Sequence, residues 1–230
     1  MEAIVLAGGL GTRLRGTVPD LPKVMAPVCG QPFLEILLRS LSAKGCQRVV
    51  LSLGYMADVV WKRIGARFAE IEVVYEIEEM PLGTGGALRG ALERCQTDHV
   101  LVLNGDTYLD VELDSVEALW QQARTPIVVA CEVADTSRYG RLLVENGRLI
   151  GFTEKGFSGK GLINAGYYLL PTDVAHFFPS AKVFSLEKDF LIPAIRSCRF
   201  EVFTTRGQFV DIGIPEDYFR AQTELLRLCR

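Results

Sequence analysis

Arginine and lysine side chains lie close to glycine-rich turns near the start of this chain, a combination suited to chemistry on phosphate groups. Residues 8–13 read G-G-L-G-T-R, and Lys23 follows within L-P-K-V-M-A-P-V-C-G-Q-P (21–32). A glycine-rich turn between a strand and a helix lets backbone N–H groups approach an anionic phosphate. A purely structural turn beside solvated cations is the alternative. The loop therefore predicts a phosphate site, provided that the rest of the chain supports it.

Two aspartates, the first of them after a predicted strand, could hold a divalent cation. Asp106 ends an apolar run in L-N-G-D, and Asp211 lies in V-D-I-G, 105 residues later. Carboxylates at the carboxyl ends of strands converge at the crevice where open α/β sheets bind ligands. Mg²⁺ takes one or two such carboxylates and completes its octahedron with phosphates and waters. A turn or helix-cap aspartate is the alternative for either residue alone.

The elements that must position these residues alternate between strands and helices in the first half of the chain. Apolar runs predict buried strands at 3–7, 48–53, 72–77 and 99–103. Helices are predicted between and after them at 33–44, 57–68, 85–95 and 114–123, the last opened by a capping-box pattern of Asp114 and Glu117. This alternation predicts βαβ units in a Rossmann-like, mainly parallel α/β sheet flanked by helices.

The pattern changes after about residue 126. A strand at 126–132 is followed by Asn146-Gly147 between apolar runs, a strong hairpin signal, and by a strand at 162–170. Ser185 is a predicted cap for a helix at 186–197, and Pro215 opens a final helix. We expect one α/β domain over residues 1–230, with a βαβ front half to about 125, a hairpin-bearing back half from about 126, and no β-helix extension.

Composition excludes several other classes of protein. Twenty-eight acidic and 25 basic residues leave a net charge of −3, so no basic field favours nucleic acid or anionic lipid. No stretch reaches the roughly 18 apolar residues of a membrane helix, and Glu2 stands where a signal peptide would be basic. Six cysteines without a C-x-x-C pair predict free thiols in a cytoplasmic protein. Two histidines argue against histidine-driven catalysis.

Two common phosphate-binding motifs do not fit the first loop. A Walker A loop requires G-K-[ST] where this chain has Thr12-Arg13, and a Rossmann fingerprint requires glycine where it has Leu14. A-G-G-L-G-T-R-L-R (7–15) and the Lys23 segment instead resemble the signature of the sugar-1-phosphate nucleotidyltransferases. The resemblance continues through P-L-G-T-G-G-A (81–87), L-N-G-D (103–106), T-E-K (153–155), I-N-A-G-Y-Y (163–168) and V-D-I-G-I-P-E-D-Y (210–218). Val24 departs from it, because the family usually has a second proline there.

The resemblance implies a nucleotide-binding front half and a sugar-phosphate-binding back half. It makes Arg13, Lys23, Asp106 and Asp211 the catalytic residues, with Arg13 at the β- and γ-phosphates, Lys23 near the α-phosphate and both aspartates on Mg²⁺. The nucleotide-binding residues that it implies are Leu6, Ala7, Gly8, Gly9, Gly11, Thr12, Glu78, Pro81, Gly83 and Thr84. The sugar-phosphate-binding residues that it implies are Gly140, Glu154, Lys155 and Asn164.

This reaction would need little acid–base chemistry. A sugar 1-phosphate oxygen attacks the α-phosphorus of a nucleoside triphosphate and expels pyrophosphate, and this oxygen is already an anion at pH 7. The protein must therefore supply in-line positioning and neutralisation of crowded phosphate charge rather than a general base. The scarcity of histidine agrees with that requirement.

The motifs are most similar to the branch of the family that makes GDP-D-glycero-α-D-manno-heptose. We therefore expect a guanylyltransferase that uses GTP, a heptose 1-phosphate and Mg²⁺ in the synthesis of capsule, lipopolysaccharide or another surface polysaccharide; a homodimer is compatible with the sequence. The alternatives are transfer to mannose-, glucose- or N-acetylmuramic acid 1-phosphate from GTP, dTTP or UTP, or an inactive nucleotide-sugar-binding regulator. A dinucleotide oxidoreductase is disfavoured by Leu14.

The segment E-I-E-E-M-P-L-G-T (76–84) is the predicted reader of the base, because in the resembled family this stretch lines the base pocket. Guanine presents two N–H donors side by side, which one carboxylate can accept together. Uracil and thymine present one N–H between two carbonyl groups, which suits an amide. Glu78 is the first candidate and Glu79 the second, and two solvated acids are the alternative.

Overall fold

The computed structural model describes residues 1–153 and 156–229. In chain order, the strands are β1 (Glu2–Leu6), β2 (Pro27–Val28), β3 (Gln31–Pro32), β4 (Arg48–Leu53), β5 (Arg67–Phe68), β6 (Ile71–Ile77), β7 (His99–Asn104), β8 (Thr107–Leu109), β9 (Ile127–Val133), β10 (Leu142–Glu145), β11 (Arg148–Phe152), β12 (Gly161–Pro171), β13 (Glu201–Thr205) and β14 (Phe209–Asp211). The α-helices are α1 (Phe33–Ala43), α2 (Ala57–Ile64), α3 (Gly83–Leu92), α4 (Leu113–Ala123), α5 (Ile192–Ala194) and α6 (Pro215–Glu224). Short 3₁₀ helices span Lys23–Met25 and Thr172–Phe177, and a π-helix spans Leu186–Leu191.

The sheet is mixed, with a parallel centre. In the described part of the chain its ten strands lie in the order β10-β11-β13-β9-β12-β7-β1-β4-β6-β5. Strands β7, β1, β4 and β6 run parallel to one another, as the βαβ pattern predicts. Strand β12 is antiparallel to both β7 and β9, and the β10–β11 hairpin completes one edge. The Rossmann-like α/β class is confirmed, and most antiparallel pairs come from the hairpin-bearing back half.

Both faces of the sheet are buried, because alternate residues of its central strands pack into different apolar layers. On β1, Ala3 and Val5 join the layer that includes the buried faces of α1, α2, α4 and α6. Ile4 between them joins the opposite layer, which includes α3 and the π-helix. The short apolar runs of the sequence are therefore continuous rather than alternating, since neither face meets water.

Several element boundaries differ from those predicted. Helix α2 ends at Ile64 because Gly65 adopts a φ of 71°, whereas the sequence predicted a helix to residue 68. The capping box at Asp114 is wrong: α4 begins at Leu113 without a side-chain cap, and Glu117 contacts His99 Nε2 at 2.8 Å. The predicted helix at 186–197 is a π-helix followed by the single turn α5.

Two local signals are confirmed. Asn146 and Gly147 both have positive φ, 49° and 76°, as a tight hairpin turn between twisted strands requires. The Ser185 side chain accepts a hydrogen bond from the backbone N–H of Lys188 at 3.2 Å. Within residues 1–153 and 156–229, no helix is both long and apolar enough to cross a membrane.

Candidate active site

A cavity of about 290 Å³ opens at the carboxyl ends of the parallel strands. This is the edge at which open α/β sheets bind ligands, because the loops after adjacent strands diverge there. The residues that line it come from the ends of β1, β6 and β7, from the Lys23 segment and from the start of α3: Leu6, Ala7, Gly8, Gly9, Leu10, Lys23, Val24, Glu78, Pro81, Gly83, Thr84, Ala87, Asn104 and Asp106. The cavity thus collects most of the predicted nucleotide-binding residues.

The glycine-rich loop after β1 is anchored at both ends. The N–H of Ala7 donates to Ser52 O of β4 at 2.8 Å, and Leu14 is buried in the core. Gly11 has a φ of 59°, and a Cβ there would lie 2.9 Å from Cβ of Lys23, so this close approach requires glycine. Thr12 and Arg13 are exposed on the same loop and do not line the cavity. Their predicted contacts with phosphates stay predictions.

Glu78 lies at the end of β6 with its carboxylate facing two glycines. A Cβ on Gly8 would lie 2.5 Å from Oε1 of Glu78, and a Cβ on Gly54 would lie 2.9 Å from the same oxygen. The backbone N–H of Leu82 donates to Oε2 at 3.1 Å. Burial raises the pKa of the Glu78 carboxyl, and this hydrogen bond partly opposes the rise. Glu79 is exposed and does not line the cavity.

Lys23 and Asp106 form an ion pair at the floor of the cavity. Lys23 Nζ donates to Asp106 Oδ2, and the Lys23 side chain is 12% exposed. Lys23 begins a short 3₁₀ helix directly after Pro22. The turn before Asp106 is held to the end of β1, because the N–H of Gly105 donates to Leu6 O at 2.9 Å. Val24, the departure from the resembled family, is buried with Cγ1 3.1 Å from the position that a Gly105 Cβ would take. Val24 therefore packs over the turn that presents Asp106.

Asp211 is brought to Asp106 by a two-stranded ladder. Strand β14 pairs with β8 so that Asp211 lies opposite Thr107, and the N–H of Ile212 donates to Asp106 O at 3.0 Å. The backbone N–H of Gly213 donates to Oδ1 of Asp211. Burial and the adjacent Asp106 carboxylate raise the pKa of Asp211, since two neighbouring carboxylates disfavour double ionisation.

The two carboxylates fit a divalent cation that is shared with a bound phosphate. A cation would relieve the repulsion that raises the pKa of Asp211, and oxygen donors are those that Mg²⁺ prefers. Over the described residues, no cluster of three or more His, Cys, Asp or Glu side chains could hold a metal ion alone. The remaining ligands would therefore be phosphate oxygens and water.

Two of the predicted sugar-phosphate residues, Gly140 and Asn164, lie beyond this cavity. Gly140 packs against the residue that follows β11, because a Cβ there would lie 2.8 Å from Thr153 O. Asn164 lies at a bulge in β12, where its Nδ2 donates to the Tyr168 hydroxyl at 2.7 Å and to Glu187 Oε1 at 3.2 Å. Neither residue lines the cavity. Glu154 and Lys155 lie outside the described residues.

Four cavity residues were not predicted: Leu10, Val24, Ala87 and Asn104. Asn104 stands in the L-N-G-D motif, so its motif was visible even though no role was assigned to it. Ala87 lies one helical turn after Gly83, a spacing that places both on one face of α3. Leu10 stands in the A-G-G-L-G-T-R-L-R motif and Val24 is the departure from the family pattern, but neither residue was assigned a role.

Known proteins and structures resemble this chain over nearly its whole length. The sequence profile described as Nucleotidyl transferase matches residues 2–227. D-glycero-alpha-D-manno-heptose 1-phosphate guanylyltransferase of Aneurinibacillus thermoaerophilus is 38% identical over 226 residues, 98% of each chain. The protein of that name from Campylobacter jejuni is 37% identical over 95% of this chain and 97% of its own. The crystal structure of HddC from Yersinia pseudotuberculosis complexed with GMP-PN superposes with a TM-score of 0.88 at 37% identity, over 97% of this chain and 99% of that one.

Proposed function

Because the chain belongs to the nucleotidyl transferase family, we propose that it transfers GMP from GTP to D-glycero-α-D-manno-heptose 1-phosphate, giving GDP-heptose and pyrophosphate. One observation carries the choice of substrates: two guanylyltransferases of that name match this chain at 37–38% identity over nearly their full length. Glu78 at the cavity wall supports the choice of guanine, since its carboxylate can accept both donors of the base edge.

The residues of the cavity suit this displacement. The sugar phosphate oxygen attacks the α-phosphorus in line with the departing pyrophosphate, so bond formation and bond breaking need only alignment and neutralisation of charge. Asp106 and Asp211 hold Mg²⁺, which supplies positive charge to the triphosphate. Lys23, paired with Asp106 in this structure, neutralises the α-phosphate, and Arg13 binds the β- and γ-phosphates with its planar fork.

The sugar phosphate would approach from the back half of the chain. Gly140, Glu154, Lys155 and Asn164 are proposed to bind it, with Lys155 on its phosphate. The product is an activated sugar, so the next reaction is a glycosyl transfer, which we place in the assembly of a surface polysaccharide. Both substrates of the proposed reaction, a nucleoside triphosphate and a sugar phosphate, are charged metabolites of the cytoplasm. We therefore propose that the enzyme acts there.

Pyrophosphate release measured over GTP, ATP, UTP and dTTP, each with a panel of sugar 1-phosphates, tests the proposal. The expected result is highest kcat/KM for GTP with D-glycero-α-D-manno-heptose 1-phosphate, and no turnover without a divalent cation. Higher kcat/KM for mannose 1-phosphate would replace the proposed sugar, and a preference for UTP or dTTP would replace the base. Absence of turnover with every pair would leave a nucleotide-binding protein without this activity.

A further inference from the structure

The loop at residues 136–141 is fastened to the first turn of α6 by an arginine fork. Asp217 is buried, with 2% of its side chain exposed. Arg138 Nη1 donates to its Oδ1 at 2.8 Å, and Nη2 donates to Oδ2. The hydrogen bond to Asp217 raises the pKa of Arg138. Arg220, from the next turn of α6, also approaches Oδ1 at 3.2 Å.

The same 136–141 loop holds the backbone on both sides of residues 154 and 155. The N–H of Gly156 donates to Ser137 O at 3.0 Å, and the N–H of Thr153 donates to Arg141 O at 2.9 Å. The N–H of Arg141 in turn donates to Thr153 Oγ1 at 3.1 Å. Arg138 lies between Ser137 and Arg141, so its fork fixes the part of the loop on which both attachments depend.

Helix α6 is tied to the nucleotide side of the site. It begins at Pro215, four residues after Asp211. The Tyr218 hydroxyl donates to Pro27 O at 2.7 Å, in the segment that follows Lys23. Helix α6 therefore contacts the Lys23 segment at one residue and the 136–141 loop at the residue before it.

We infer that Arg138 is a positioning residue, which sets the sugar-phosphate side of the site relative to the nucleotide side without contacting either substrate. The inference rests on the proposed function, because it names the ligand whose binding depends on this geometry. In an ordinary surface ion pair the carboxylate is exposed to water. Asp217 is instead buried and accepts both donors of the Arg138 fork. Loss of the fork releases the 136–141 loop from α6, and with it the attachment that positions Thr153 after β11.

Arg138→Lys tests the inference, because lysine keeps the charge and loses the planar fork. The KM for the sugar 1-phosphate is expected to rise by about 10- to 100-fold, the cost of a misplacement on the order of 1 Å. The KM for GTP should stay within about twofold. Arg220→Lys is the matched control, since it alters the other cation at Asp217 without touching the loop, and both KM values should stay within about twofold.

Hydrogen–deuterium exchange supplies a readout that does not require turnover. The amides of Thr153 and Gly156 should exchange at least about tenfold faster in Arg138→Lys, whereas in Arg220→Lys they should exchange as in the wild type. Asp217→Asn weakens the same fork from its other end and replaces Arg138→Lys if that variant does not fold. Equal rises of both KM values, an unchanged KM for the sugar phosphate, or unchanged exchange in the fork variants would overturn the inference. Wild-type protein without turnover would instead count against the proposed function, and exchange would still decide the role of Arg138.

Discussion

The position of the Glu78 carboxylate depends on two nearby glycines, Gly8 and Gly54. Its carboxylate occupies the space that side chains on Gly8 and Gly54 would fill, so glycines at the ends of β1 and β4 leave room for an acid at the end of β6. With Oε2 bound to the Leu82 N–H, the carboxylate has a fixed orientation at the cavity wall. An acceptor held in this way is preorganised for a base that presents two adjacent donors.

Glu78→Gln should reduce the preference for GTP. A bidentate base contact is worth roughly 1–3 kcal/mol, so the ratio of kcat/KM for GTP to that for UTP should fall by about 10- to 100-fold. Glu79→Gln is the control, because Glu79 is exposed and does not line the cavity. An unchanged ratio in Glu78→Gln, or equal changes in the two variants, would show that Glu78 does not read the base.

The KM for GTP should rise as the pH falls. Burial raises the pKa of Glu78, and only its ionised form accepts both guanine donors, so acidification removes the acceptor at a higher pH than for an exposed glutamate. KM measured between about pH 5 and pH 8 should show this acid-side rise in wild type and lack it in Glu78→Gln. Titration of GTP itself is common to both proteins and cancels in the comparison. Identical pH profiles would contradict the assignment.

Glu2 is expected to stabilise the fold rather than the site. It is 3% exposed, accepts from the N–H groups of Gln96 and Thr97 at 2.9 and 3.2 Å, and pairs with Arg48. Glu2→Ala leaves these donors without their acceptor and should lower the free energy of unfolding by about 3–5 kcal/mol in urea titrations. Glu72→Ala removes an exposed partner of Arg48, 3.4 Å away, and should cost less than about 1 kcal/mol. Equal losses would contradict this.

At the scale of elements, the longer buried strands were predicted better than the helix ends, whereas several short strands were not predicted. Apolar runs predict buried strands, and glycine or proline indicates the turns after them. The capping box predicted at the start of α4 does not form, because Glu117 contacts His99 of β7 instead of the helix N-terminus. The π-helix at Leu186–Leu191 could not be read from a 3.6-residue period, since its backbone does not follow one.

The site was predictable where motifs are local and less so where the fold joins distant segments. The glycine loop follows the apolar run of β1, and Glu78 follows that of β6. Both line the cavity. The approach of Asp211 to Asp106 depends on β8 and β14, which have three residues each and no periodic signal. The placement of carboxylates at strand ends predicted that the two residues converge, and the family resemblance assigned both of them to one metal ion.

The β8–β14 ladder places Asp211 beside Asp106, and we expect that turnover needs both carboxylates. Asp106→Asn and Asp211→Asn should each lower kcat by about 10²–10³-fold, because each removes a charge from the proposed cation site. The amide keeps the shape of the side chain, so the ladder should survive with unchanged circular dichroism. Asp114→Asn, on the exposed side of α4, is the control and should retain wild-type kcat. Retention of more than about a third of kcat in either variant would contradict the metal assignment.

The whole molecule joins its two halves through one sheet rather than through a hinge. Strand β12 lies between β7 of the front half and β9 of the back half and is hydrogen-bonded to both. The prediction of one domain over residues 1–230, with a boundary of roles near 125, stays a prediction. The continuous sheet leads us to expect that adjustment between the substrates occurs in loops such as 136–141, while the strands remain fixed.

Asp106 and Asp211 are neighbours in space but 105 residues apart in the chain. The ribosome therefore synthesises Asp211 well after Asp106. At about 5–20 residues per second, β14 leaves the ribosome roughly 5–20 s after β8. During that interval a nascent chain carries its phosphate loop, Lys23 and Glu78 without the second carboxylate. Such a chain could recognise a nucleotide yet not cleave it. On the proposed function, we expect turnover only after β14 has been synthesised, and none from chains interrupted before it.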